Sequence, residues 1–93
     1  MNRITTKTEQ GSYRVSAEAV CVRRDGVTGE AIERLGMFED AVELIEQQLA
    51  RATAKLDDLK TRGKIRSAQG QQLLAQKLTY SSTLTLLGVK DAD

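Results

Sequence analysis

Proline, histidine and tryptophan are absent from the 93 residues, and cysteine occurs once. Each absence closes off a class of protein. Without proline, nothing forbids long uninterrupted helices. Without histidine, and with Cys21 alone, neither a zinc site nor a Ser-His triad can be assembled. A single cysteine also rules out an internal disulfide and fits a reducing cytosol. Cys21 lies between Val20 and Val22, which predicts a buried, inert thiol. Aromatics are confined to Tyr13, Phe38 and Tyr80, so any core must rest on Leu, Val, Ile and Ala. The first residues carry no apolar run of the signal-peptide kind, and no window suits a membrane span. A cytoplasmic protein is expected. Fourteen basic and thirteen acidic residues nearly cancel, so bulk charge does not select a nucleic-acid partner.

Against these absences one stretch stands out. Leu35, Phe38, Val42, Ile45, Leu49, Ala52, Leu56 and Leu59 are spaced by alternating steps of three and four. That is the seam of a helix lying along another helix. The expected helix covers 28–62. Thr28 is its expected N-cap, Glu30 and Glu33 favour its positive end, and Lys60 and Arg62 favour its negative end. Gly63 is placed to end it in the left-handed conformation. Gly36 lies inside it at a cost of about 1 kcal/mol and is expected to admit a second backbone.

A second helix is expected over 67–87, with Ser67 as N-cap and Gly88 as its stop. Leu73, Leu74, Leu78, Tyr80, Leu84 and Leu87 recur at helical spacing, and Lys90 to Asp93 are expected to fray. The short connection between the helices forces an antiparallel pair. The N-terminal region 1–24 reads as a β-hairpin. Its first arm is rich in β-branched residues, Glu9 to Ser12 make a turn, and Tyr13 to Cys21 alternate with period two. Ser16 to Val22 fits a short helix equally well. The predicted architecture is thus a single α+β domain, with an N-terminal β-hairpin packed on the overhanging end of a long antiparallel helical hairpin. A chain this short buries only about 60–65 % of its unfolded surface. Two helices alone leave apolar flanks wet. The hairpin, a homodimer of four-helix form, or a partner in an apolar groove would cover them.

The segment from Ala31 to Asp40 (Ala-Ile-Glu-Arg-Leu-Gly-Met-Phe-Glu-Asp) resembles one found in small prophage and mobile-element proteins of Gram-positive bacteria. Gly63 to Ser67, followed by Gln72 to Leu78, looks like the same kind of protein. The likeness departs at Phe38, where Tyr is usual, and at Gly36. It implies a phage-type protein of the host bacterial cytosol. Such proteins often bind host machinery, including Cas nucleases of CRISPR systems.

Charge is segregated along the first helix. Glu30 to Glu46 holds six acids and one base, whereas Arg51 to Arg66 holds six bases and two acids. A solvated face aligned with the helix dipole is the plainest account. Two functional readings stand beside it. Glu39, Asp40, Glu43 and Glu46 present carboxylates to a basic protein surface, such as a nucleic-acid channel. Alternatively Lys60, Arg62, Lys64 and Arg66 hold phosphates, without aromatics to stack bases. The first makes the chain a non-enzymatic inhibitor of a host nucleic-acid-handling protein, anti-CRISPR-like in its action. The second makes it an accessory nucleic-acid-binding protein. No catalytic residue, metal ligand or cofactor site is expected, since paired acids on a helix are far more often solvated than catalytic.

Overall fold

The computed structural model describes residues 1–89, so the expected fraying of Lys90 to Asp93 lies outside the described residues. The chain divides into two compact units, the first ending at Glu39 and the second beginning at Asp40.

In the first unit, β1 (Thr5–Lys7) pairs antiparallel with β2 (Tyr13–Val15) in the register Thr5↔Val15 and Lys7↔Tyr13. The expected turn joins them. The Thr8 N–H donates to the Ser12 carbonyl at 2.7 Å, and the Ser12 N–H donates to the Thr8 hydroxyl at 3.0 Å. The period-two reading then fails. β2 stops at Val15, and Ala17–Ala19 form one turn of 3-10 helix that buries Ala19. The helical preference of Ala-Glu-Ala prevails there over alternation. Cys21–Arg23 form β3, paired with β4 (Gly26–Thr28) in a second hairpin. Arg24 and Asp25 form the turn of this second hairpin, and Gly26 already pairs with Arg23. All six of its strand residues are exposed, so Cys21 is exposed and not buried as expected. Among the described residues no layer covers either face of this ribbon, and its valines give the thiol no shelter.

Helix α1 (Glu30–Thr61) is continuous over 32 residues, about 48 Å. It starts two residues later than expected. Thr28 pairs with Cys21 instead of capping, and Gly29 accepts the first helical bond, from the Glu33 N–H at 3.0 Å. Gly29 has φ +120°, and a Cβ there would lie 2.6 Å from the Ala19 carbonyl oxygen. Only glycine fits that junction without strain. The β1–β2 hairpin lies on the start of α1 as expected. Ile4, Thr5 and Tyr13 share an apolar groove with Ala31, Leu35 and Phe38, and the Arg34 guanidinium donates to the Asn2 carbonyl. Gly36 does not admit a second backbone, because nothing approaches its Cβ position within 4 Å.

The second unit is the helical hairpin. α1 ends in a Schellman turn: the Gly63 N–H donates to Lys60 O at 3.1 Å and the Lys64 N–H to Leu59 O at 2.7 Å, with Gly63 at φ +69°. Helix α2 (Ala68–Leu86) is capped by Ser67, whose hydroxyl accepts from the Gly70 N–H at 3.1 Å. Gly70 is buried, and a Cβ there would sit 2.0 Å from the Ile65 carbonyl oxygen. The inter-helix turn therefore lies directly against the first turn of α2. The Gly88 and Val89 N–H groups close α2 as Gly63 and Lys64 close α1.

Ala52, Leu56, Leu59 and Leu73 form the core, with Ile65 packed against it. The seam of α1 is covered only where α2 runs beside it. Val42 is buried and Ile45 and Leu49 are half-buried, whereas Leu35 and Phe38 fall to the first unit and are partly exposed. In the second unit, Leu44, Leu74, Leu78, Leu86, Leu87 and Val89 are exposed, as many as the apolar residues buried there. No described residue covers them.

Candidate functional site

The acids singled out by sequence all lie on α1 and are all exposed. Glu39 closes the first unit. Asp40, Glu43 and Glu46 open the second, on adjacent turns. Among the described residues none of the four takes part in an ion pair. The two salt bridges among the described residues lie elsewhere: Arg34 to Glu30 at 2.8 Å and Arg62 to Asp58 at 3.5 Å. Both are exposed pairs four residues apart, each contributing about 0.3–0.5 kcal/mol. The carboxylates of Asp40, Glu43 and Glu46 thus face outward with no ion-pair partner among the described residues.

An apolar residue that charge reading alone did not mark stands beside Asp40 and Glu43. Leu44 is 56 % exposed, adjacent to Glu43 and one turn from Asp40. Its step falls between seam positions Val42 and Ile45, so the helical period turns it away from α2. An exposed leucine flanked by Asp40 and Glu43, neither ion-paired among the described residues, has the anatomy of a small docking surface, an apolar centre with a polar edge, while Glu46 lies farther round the helix.

The basic cluster is differently built. Lys60 lies in the last turn of α1, Arg62 follows the helix, and Lys64 and Arg66 lie in the turn before α2. All four are exposed, and Arg62 is already engaged by Asp58. In this turn the Arg62, Gly63, Lys64 and Ser67 N–H groups all donate to backbone carbonyls, so these four are already spent on the fold.

A shallow groove runs along the other flank of α1. It is lined by Glu46, Leu49, Ala50, Thr53, Ala54 and Asp57 of α1, with Leu84 and Val89 at one end. Small side chains make its floor and carboxylates mark its ends. The Thr53 hydroxyl donates to the Leu49 carbonyl at 2.8 Å, so the threonine offers the groove mainly its methyl group. Comparison with protein-family models, with curated proteins and with solved structures returned no match.

Three further facts bear on chemistry. Among the described residues no group of three or more His, Cys, Asp or Glu is arranged to hold a metal ion. No described helix is long and apolar enough to cross a membrane. No buried side-chain nitrogen or oxygen among the described residues lacks a hydrogen-bond partner. The polar groups with unused capacity are on the surface.

Proposed function

We propose that this chain is a non-catalytic protein-binding module that docks on a basic surface through the acidic stretch of α1. The observation that carries the reading is Leu44, more than half exposed beside Asp40 and Glu43, which, like Glu46 farther round the helix, take no ion pair among the described residues. Glu39 precedes them in the same helix. The carboxylates steer the encounter and fix orientation, and the leucine supplies the apolar anchor.

A row of carboxylates along a helix offers a basic channel what a phosphate backbone offers. The target class is accordingly a nucleic-acid-handling protein of the host cell, blocked at the surface where its substrate lies. The resemblance to prophage proteins suggests a CRISPR nuclease as the first target to try.

The test is a pull-down from bacterial lysate with the full chain. Capture of a basic nucleic-acid-binding protein, released by salt and lost in both Glu39→Lys/Glu43→Lys and Leu44→Lys, supports the reading. Capture unaffected by these changes refutes it. The accessory nucleic-acid reading rests on the exposure of Lys60, Lys64 and Arg66. A low-salt mobility shift abolished by charge reversal at Lys64 and Arg66 would favour that reading instead.

A further inference from the structure

We infer that the flank of the helical hairpin opposite Leu44 binds a second copy of the same flank, forming a two-fold dimer in which each α2 ridge fills the α1 groove of its partner. The ridge is Leu74 and Leu78, 43 % and 69 % exposed. The groove floor is Ala50 and Thr53, between Glu46 and Asp57.

Both parts lie on one side of the hairpin. Thr53 follows the buried seam residue Ala52, and Leu74 follows the buried seam residue Leu73. In an antiparallel pair, positions that follow the seam on each helix fall on the same side. They also lie at the same height. Thr61 and Ala68 bound the turn, and equal steps away from them put Leu74 level with Lys55 and Leu78 level with Arg51. The ridge of one copy therefore stands opposite the Ala50–Asp57 floor of the other when a two-fold axis runs parallel to the helices. Such an arrangement is closed and isologous.

Charge selects the same occupant. α2 carries one charged residue in its 19, Lys77, beside the ridge. The groove carries two, Glu46 and Asp57, both acidic, and neither takes part in an ion pair among the described residues. Lys77 is level with Ala52, between the two carboxylates. Two hydroxyls of the face are already satisfied: that of Thr53 donates to Leu49 O at 2.8 Å and that of Thr85 to Ser81 O at 3.1 Å. Covering those hydroxyls strands neither of them. A face one α2 helix long, 19 residues, and two helices wide measures about 28 by 20 Å. Two such faces remove roughly 1,100 Å² from water, just above the ~1,000 Å² that a specific interface requires.

Sedimentation equilibrium of the full chain over a wide concentration range tests this. The expected mass is 10.2 kDa on dilution, rising toward twice that value at high concentration. Leu78→Lys and Ala50→Arg both alter exposed helical positions, so each should keep its far-UV circular dichroism while weakening association at least about tenfold. Lys77→Glu should weaken it, and Lys77→Glu with Glu46→Lys and Asp57→Lys should restore it. Leu44→Lys, on the target-facing strip, should leave it unchanged. A mass of 10.2 kDa at every concentration overturns the inference. So does a dimer that tolerates Leu78→Lys and Ala50→Arg, or one broken by Leu44→Lys.

Discussion

Replacing Gly70 by alanine tests the packing of the inter-helix turn, and the same exchange at Gly36 serves as its internal control. In an open helix, Gly→Ala stabilises by about 0.5–1 kcal/mol. Gly36 meets that condition, since no atom lies within 4 Å of its Cβ position. At Gly70 the new methyl would stand 2.0 Å from the Ile65 carbonyl oxygen and 2.6 Å from its carbonyl carbon. Both atoms are backbone and cannot turn aside as a side-chain tip would. Relief requires the 63–66 turn to move by more than about 1 Å, given ordinary contacts of 3.5–4.0 Å. That movement would disturb the Schellman bonds to Lys60 and Leu59, the packing of Ile65 on the core, and the Ser67 cap on the Gly70 N–H. Overpacking costs about 1–3 kcal/mol and a lost cap about 1 kcal/mol, against a propensity gain below 1 kcal/mol. The net expectation is about 2 kcal/mol of destabilisation, a fall in Tm of roughly 8–16 °C for a domain of this size. Thermal and denaturant melts followed by far-UV circular dichroism, at one fixed protein concentration, provide the readout. Gly70→Ala as stable as the parent, or Gly36→Ala less stable than the parent, would refute the reasoning.

Leu56→Ala, at a position 4 % exposed, should cost about 2–4 kcal/mol, whereas Leu78→Ala, 69 % exposed, should change monomer stability by less than about 0.5 kcal/mol; denaturant midpoints compare them. Ser67→Ala should cost about 1 kcal/mol and Ser67→Asp should recover most of it in the same melts, because what matters is a side-chain acceptor for the Gly70 N–H. Cys21 should react fully with a small thiol reagent in native buffer, with no gain on adding denaturant. Protection until unfolding would place a covering layer over the β3–β4 ribbon.

The helical part of the fold was legible because its signals are local and mutually consistent. A strict three-four spacing announced α1, Ser67 its cap function, and Gly63 and Gly88 the helix ends, and each appears where read. The N-terminal region was only partly legible. Its residues are β-branched or small, its strands are three residues long, and exposure on both faces erases the alternation that marks a strand. Thr28 fits a cap and a strand equally well by type; its pairing with Cys21 decides the matter, and pairing is not written in one residue. Gly70 went unmarked because its importance lies in contact with Ile65, which no pattern within α2 reveals. The acidic stretch was visible as composition, but Leu44 was not. Its significance comes from facing away from α2, and that follows only once the seam is known to be buried on the other side.

The threonines of α2 carry a consequence for how this helix behaves in solvent. By composition α2 reads as water-loving, with its glutamines, serines and threonines. Yet the hydroxyl protons of Thr79, Thr83 and Thr85 point back to carbonyls of their own helix at 2.8–3.1 Å. What they turn outward is largely methyl. Hydropathy scales therefore overrate its affinity for water. Of the charges that keep the hairpin dispersed, α2 supplies only Lys77 and the rest belong to α1 and the turn after it, so a peptide spanning only α2 should come out of solution at concentrations the whole chain tolerates.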